Sequence, residues 1–440
     1  VGYKAHSLHV NEGDRLRAMA SQQYLRETKL APRRGTIYDR HGTPLAASVD
    51  VDSIFANPRM VGERAPEVAR RLAATLALDA WALQKQLSTR RYFTWVKRRV
   101  SPREARAVRA LELKGVFITQ ESRRFYPNHG LGGTVVGFAG LDAKGLEGVE
   151  LAQDRWLRGT TARVAGLRDA LGRPVLSEGF KQAPSTGHDV WLTLDKFIQH
   201  QTEAALREVY PEVHPERGWV AAVVMDPRNG DVLAMASEPS FDPNHYGRAR
   251  PSQWRNRNIA DAFEPGSTLK VFTIAAALQA GVVRADEQIP CEEGRWRVGH
   301  YTIHDSHRYE SLDVGGIVKK SSNIGVSKIA FRLGKAGVHR HLRRFGFGSR
   351  TGIRLPGERR GVLHPPGRWS DVGLANIAFG QGMTTTVLQL AQGLTAIANR
   401  GRMMRPRLVR RVRDSVGQTV ESIEPRGRHV ISPAVARDVL

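Results

Sequence analysis

The sequence predicts an α+β protein in two units: a mixed α/β module over residues 1–187, then a unit over residues 188–440 in which helices flank an antiparallel sheet. Three observations carry that prediction. The chain has 440 residues, more than one ordinary domain holds, and its 41% apolar content can bury a core in each unit. The composition changes at Pro184-Ser185-Thr186-Gly187, a cluster of turn formers. Beyond it, strand signals come first and helix signals dominate after Ser267.

In the first unit, Arg34 to Gly42 places a short strand between two turn signals. Alanine and leucine recur at helical spacing from Pro66 to Leu78. Ser101-Pro102-Arg103-Glu104 has the form of a helix start: a Ser cap, Pro in the first position, and Glu where its side chain reaches back to the cap. Gly130-Leu131-Gly132-Gly133 lacks the following helix and acidic partner of a dinucleotide fingerprint, and reads as a turn. A helix is expected over about 150–157. In the second unit, 190–194 reads as a strand and 196–209 as a helix. Residues 219–226 and 232–236 form a hairpin across the turn Pro227-Arg228-Asn229-Gly230-Asp231. Helices are expected over 267–280, 313–319, 323–333 and 384–399, with Gly281, Gly334 and Gly401 just past helical runs. Trp191 and Trp219 are expected in the core. There is no internal repeat.

The formal net charge is +24. Such a charge suits nucleic acid, anionic membrane surfaces or cell-wall polymers. The basic clusters sit in separate segments with no nucleic-acid module around them, so nucleic acid is not an expected partner. The single cysteine, Cys291, excludes an intrachain disulfide. Cys291, His300, His304 and His307 match no standard zinc spacing, and no metal is expected. The stretch 296–303 alternates as one strand would. No run approaches the roughly 18 apolar residues of a membrane span. The chain starts at Val1, and an upstream segment is expected.

The sharpest chemical feature is Glu264-Pro265-Gly266-Ser267-Thr268-Leu269-Lys270. Pro and Gly break the chain, and an apolar helix follows at once. Ser267 therefore starts a helix, with Lys270 three residues on over the same face. A Ser hydroxyl needs a base beside it to act as a nucleophile. Desolvation in the apolar helix and the positive helix end both push the Lys270 amine toward its neutral, proton-accepting form. The helix end also favours a developing oxyanion. Taken alone, S-x-x-K is usually an N-cap Ser and a snorkelling Lys. The second feature is Lys320-Ser321-Ser322-Asn323, between two helical runs. Its hydroxyl suits relay of a proton to a leaving amine, and its amide suits a peptide carbonyl.

The pair of motifs follows the serine penicillin-recognising pattern. The chain resembles the class B penicillin-binding proteins from about residue 30 onward. Arg34 to Gly42 is similar to their R-G-x-I-x-D-R-x-G block. Arg124-Phe125-Tyr126-Pro127, Val135 to Phe138 and Gly148-Val149-Glu150 resemble the next blocks. Gly187 to Asp195, Thr351 to Glu358 and Gly380-Gln381-Gly382 resemble transpeptidase-domain blocks, and Phe93 to Arg98 leans toward the division branch. The resemblance implies a serine D,D-transpeptidase that cross-links peptidoglycan stem peptides in septal wall synthesis. Ser267 would be acylated, with Lys270 taking its proton. Ser321 would protonate the leaving D-Ala, and Asn323 would hold the peptide. β-Lactams would acylate the same serine, with no cofactor. It also implies a membrane-embedded glycosyltransferase and other division proteins as partners, and a periplasmic catalytic domain on a single-pass inner-membrane anchor upstream of Val1. The first unit would be a pedestal or dimerisation-type module, with Arg34, Asp39, Arg40 and Glu150 holding it against the second. The family's K-[ST]-G strand is not found before Leu440 and is expected beyond it. The other readings weighed are a penicillin-sensing module, a division scaffold in which turnover is secondary, and a carboxypeptidase.

Overall fold

The computed structural model describes residues 26–30, 33–159, 162–168, 174–175, 186–213 and 218–440; the turn formers at 184–185 lie outside them. In the first unit a long strand organises its neighbours. The strands are β1 (Ile37–Tyr38), β2 (Pro44–Ala56), β3 (Thr94–Lys97) and β4 (Val116–Phe125). β2 pairs antiparallel with β4 along ten residues, from Ala47–Phe125 to Ala56–Val116, and with β1 and β3 near its ends. Alternation along β2 buries Ile54 and Ala56. They meet helix α1 (Ala65–Leu76), which buries Val68, Ala69, Leu72 and Leu76 on one stripe. Helix α2 (Pro102–Ala110) starts with the expected reciprocal cap. Ser101 Oγ accepts from the Glu104 N–H at 3.2 Å, and the Glu104 carboxylate accepts from the Ser101 N–H at 2.8 Å.

The helix expected over 150–157 is two short pieces, Gly148–Ala152 and Asp154–Leu157. In a continuous helix the Glu150 carbonyl would accept from Asp154. Here it accepts from Arg34 Nη2 at 2.6 Å. The fully buried Glu150 carboxylate also takes Arg34 Nε at 2.5 Å and Arg124 Nε at 2.6 Å. Asp154 takes the other arm of Arg34 at 2.5 Å. Arg34 and Glu150 thus knit the first unit internally. Asp39 reaches the second unit, accepting the Lys196 N–H at 3.3 Å as well as those of His41 and Thr43. Arg40 forms no close ion pair among the described residues, but it reaches the second unit through its N–H, which donates to the Leu194 carbonyl at 2.8 Å, and through its charge, which helps hold the Asp226 carboxyl down. Glu150→Ala would take the shared carboxylate from two buried guanidiniums, leaving Arg124 without an ion-pair partner among the described residues and Arg34 with Asp154 alone. We expect it to cost about 3–5 kcal/mol, seen as a large fall in the thermal midpoint. An unchanged midpoint would show the network to be dispensable.

The second unit begins with β5 (Asp189–Leu192), which lies parallel to β1. Helix α3 (Lys196–Val209) follows, capped by the Asp195 side chain, which accepts from Phe197 and Ile198. β6 (Val220–Met225) and β7 (Val232–Glu238) form the expected antiparallel hairpin; the other edge of β6 pairs with no described strand. Then come α4 (Lys270–Ala280), β8 (Arg295–Val298), β9 (Tyr301–His304), α5 (Val314–Lys319), α6 (Asn323–Arg344), α7 (Asp371–Ala378), α8 (Val387–Ala398), β10 (Val409–Arg413) and β11 (Thr419–Ser422). The large sheet runs β11-β10-β5-β1-β2-β3 with β4 also on β2, so it crosses the 187/188 junction.

Three expectations need correction. Residues 296–303 are not one strand: β8 and β9 form a hairpin turning at Gly299, whose φ of +62° suits glycine. The helix from Asn323 does not stop at 333; Gly334 breaks its geometry at φ +73°, and the helix resumes to Arg344. The two tryptophans are not core residues. Trp219 precedes β6, half-buried edge-on to Phe263, and Trp191 lies half-exposed on the outer sheet face, stacked on Tyr38. The helical core forms instead around Phe272, packed between Phe345 and Phe347.

Candidate active site

The nucleophile turn is set by close backbone contact. Gly266–Leu269 makes a tight helical turn that runs directly into α4. The Gly266 N–H donates to the Gly380 carbonyl at 3.0 Å. A Cβ on Gly380 would lie 2.0 Å from the Gly266 oxygen, and its φ is +86°, so only glycine fits. Glu264 accepts the Gly382 N–H at 2.8 Å. The Gly380-Gln381-Gly382 loop thereby braces the turn from behind and leaves Ser267 exposed at its outer edge.

Lys270 is the first residue of α4 and only 2% exposed. Burial pushes its amine down from an ordinary 10.5 to about 8, against the opposing pull of the Asp305 charge. Its Nζ donates to Ser321 Oγ at 2.9 Å and to the Ser321 carbonyl at 2.5 Å. The Ser321 and Ser267 hydroxyls are 3.0 Å apart. The sequence placed Lys270 directly against Ser267. In the structure the hydrogen bonds run from Lys270 through Ser321 to Ser267, with Ser321 held at φ +55°.

Asn323 starts α6 and lines the same cleft; its Nδ2 donates to the His304 carbonyl at 3.0 Å. The cleft has a volume of about 670 Å³, with Ser267, Asn323, Tyr301, Asn376 and Gln381 among its lining. No lysine or arginine is among the described lining residues.

Sequence reasoning missed Asp305. Its Oδ1 accepts the Asn323 N–H at 2.5 Å and the Ile324 N–H at 3.1 Å, and its Oδ2 accepts from Ser322 Oγ at 2.6 Å. Ser322 in turn caps α6 through the Gly325 N–H at 2.9 Å. One carboxylate thus fixes the loop that presents Ser321 and Asn323. An acid just past a strand carries no sequence signal for a partner eighteen positions on. Asp305→Asn offers these three donors one acceptor oxygen in place of two. It also removes the charge that raises the Lys270 amine. We expect penicillin acylation to slow about tenfold and its pH inflection to move below 8. An inflection that stays put would break the link between the two groups.

The four candidate zinc ligands do not converge: no group of three or more metal-ligand side chains forms among the described residues. Cys291 is buried 3.6 Å from Ser322 Oγ, while His300 lies in the β8–β9 turn.

With this geometry in place, known proteins offer a direct comparison. Residues 29–192 match the penicillin-binding protein dimerisation domain, and residues 220–439 match the penicillin binding protein transpeptidase domain. The probable peptidoglycan D,D-transpeptidase PenA of Neisseria meningitidis is 34% identical over 96% of this chain and 71% of its own length. The peptidoglycan D,D-transpeptidase FtsI of Escherichia coli is 34% identical over 90% of this chain and 67% of its own. Among solved structures, a peptidoglycan synthetase from Bifidobacterium adolescentis superposes with a TM-score of 0.73 at 28% identity, over 94% of this chain and 80% of that one. Penicillin binding protein 3 from Mycobacterium tuberculosis, complexed with aztreonam, gives 0.69 at 27% identity, over 94% and 74%. Two matched domains in the order of the two units, on a fold shared with those structures, place this chain in the class B penicillin-binding protein family.

Proposed function

We propose that the chain is a serine D,D-transpeptidase acting on peptidoglycan stem peptides that end in D-Ala-D-Ala, in septal wall synthesis. The hydrogen-bonded line from Lys270 through Ser321 to Ser267, opening into a cleft beside Asn323, carries this reading. The D,D-transpeptidase names of PenA and FtsI support it. Ser267 Oγ attacks the penultimate D-Ala carbonyl. Its proton moves to Ser321 as the Ser321 proton moves to the neutral Lys270 amine. The oxyanion faces the Ser267 N–H at the helix start. When the C–N bond breaks, the same relay returns a proton to the departing D-Ala amine. An amine of a neighbouring stem then attacks the acyl ester, forms the cross-link and restores Ser267. The Asn323 side-chain amide holds the bound peptide.

A β-lactam follows the first half of this path. Its ring opens, but the amine stays tethered and blocks the acceptor. The complexes of the mycobacterial relative with aztreonam and ampicillin support β-lactams as ligands here. On this reading residues 1–187 are the pedestal and 188–440 the transpeptidase unit. The chain works in the periplasm, beside a membrane glycosyltransferase and other division proteins. No described helix is long and apolar enough to cross a membrane. The test is exposure to a labelled penicillin, followed by trypsin and mass spectrometry. The label should sit on the peptide 258–270, which carries Ser267, and a D-Ala-D-Ala stem peptide should release D-Ala. A label on any other peptide overturns the reading.

A further inference from the structure

Away from the cleft, the outer face of β10, β5 and β1 carries a stack that this chemistry does not use. Tyr38 lies on Trp191 with ring centres 4.5 Å apart. The guanidinium carbons of Arg411 and Arg413 lie 5.2 and 4.9 Å from the centre of the same indole. Strand alternation explains the arrangement. Val412 is buried, so its two neighbours share the opposite face. Both arginines are half-buried, and each Nε is shielded from solvent with no hydrogen-bond partner.

The carboxylates closest along the ladder are all engaged elsewhere. Asp189, opposite Arg413, accepts the Thr36 N–H at 2.6 Å. Asp414, next in the chain, caps its own turn through Val416 and Gln418. Glu421, opposite Val412, faces Arg155 at 3.5 Å. Neither Arg411 nor Arg413 has an acidic partner among the described residues. Burial and the charges of Arg413 and Arg410 both disfavour the charge on Arg411. An anion would relieve that cost. Stacking on one ring holds the two guanidiniums in place before anything binds. A carboxylate has two oxygens and fills one guanidinium fork; a phosphate group offers enough oxygens for both. Thr419, opposite Arg413 on β11, adds an exposed hydroxyl on the same side.

We propose that Arg411, Arg413 and Trp191 form a binding site for a phosphate or phosphodiester group on the outer face of the sheet. The group belongs either to a phospholipid headgroup or to a soluble phosphate-bearing molecule. The test uses the whole chain, with two probes. One is sedimentation with phosphatidylglycerol–phosphatidylcholine vesicles, against phosphatidylcholine vesicles alone. The other is titration with inorganic pyrophosphate, followed by tryptophan emission. Vesicle binding that pyrophosphate displaces assigns the headgroup, and pyrophosphate binding without vesicle binding assigns a soluble source.

In either case the double variant R411Q/R413Q should bind at least about tenfold more weakly. R103Q/R106Q removes the same charge from exposed positions on α2 and should bind as the parent does. Penicillin acylation should be unchanged in both variants, which checks the fold and keeps the result separate from the transpeptidase reading. Absence of binding to both probes overturns the proposal. So does equal loss in the two double variants, which would mean that net charge alone attracts the anion, and so does full binding by R411Q/R413Q.

Discussion

Ser267→Ala leaves no penicilloyl adduct on the peptide 258–270 and lowers D-Ala release by about 10⁶-fold, the scale seen when a catalytic serine is removed. The effect is this large because no other group in the line can replace it. Ser321 Oγ is engaged by Lys270 at 2.9 Å and held at φ +55° by its loop. Ser267 is exposed and the turn is held by backbone contacts of Gly266 and Gly380, so losing the hydroxyl costs little stability. The variant should melt within a few degrees of the parent. Intact-mass measurement after prolonged exposure to penicillin decides the matter, since a persisting adduct would move the nucleophile elsewhere.

Lys270→Met keeps most of the side-chain volume in α4 and removes the amine. Acylation should fall by about 10²–10⁴-fold, the usual contribution of a positioned base. The pH profile separates a base from a mere packing group. With an amine near 8, the parent's acylation rate should rise about tenfold per unit below pH 8 and level off above it. The variant should show no such inflection. Stability gives an independent check with a definite sign. The folded amine titrates near 8, below its ordinary 10.5. Between these values the unfolded chain binds more protons, so the parent gains stability as pH rises from 8 to 10.5. Below pH 8 the full cost of burying the ammonium remains. Lys270→Met should therefore be more stable than the parent at pH 7, and the gap should close toward pH 10.5. An inflection that survives in the variant would assign the base to another residue.

The sequence alone determined the elements whose causes are local. The helix over 196–209 was legible from its apolar spacing, and the start of α2 from a four-residue cap. The hairpin of β6 and β7 was legible because a short turn joins two short, continuous apolar runs. S-x-x-K was legible because a helix fixes the distance between residues three apart. Tertiary structure decided whatever depended on residues far apart in the chain. The route from Lys270 to Ser267 passes through Ser321, fifty-one residues later, because α4 and the α5–α6 loop pack side by side. Asp305 holds that loop from a hairpin that read as a single strand. Arg34 took a helical carbonyl at Glu150, 116 positions away, and split a helix that its own sequence favoured. Trp191 read as core because it is large and sits in a strand. Which face of a strand meets water is set by the register of its neighbours, and here β1 and β10 turned that face outward.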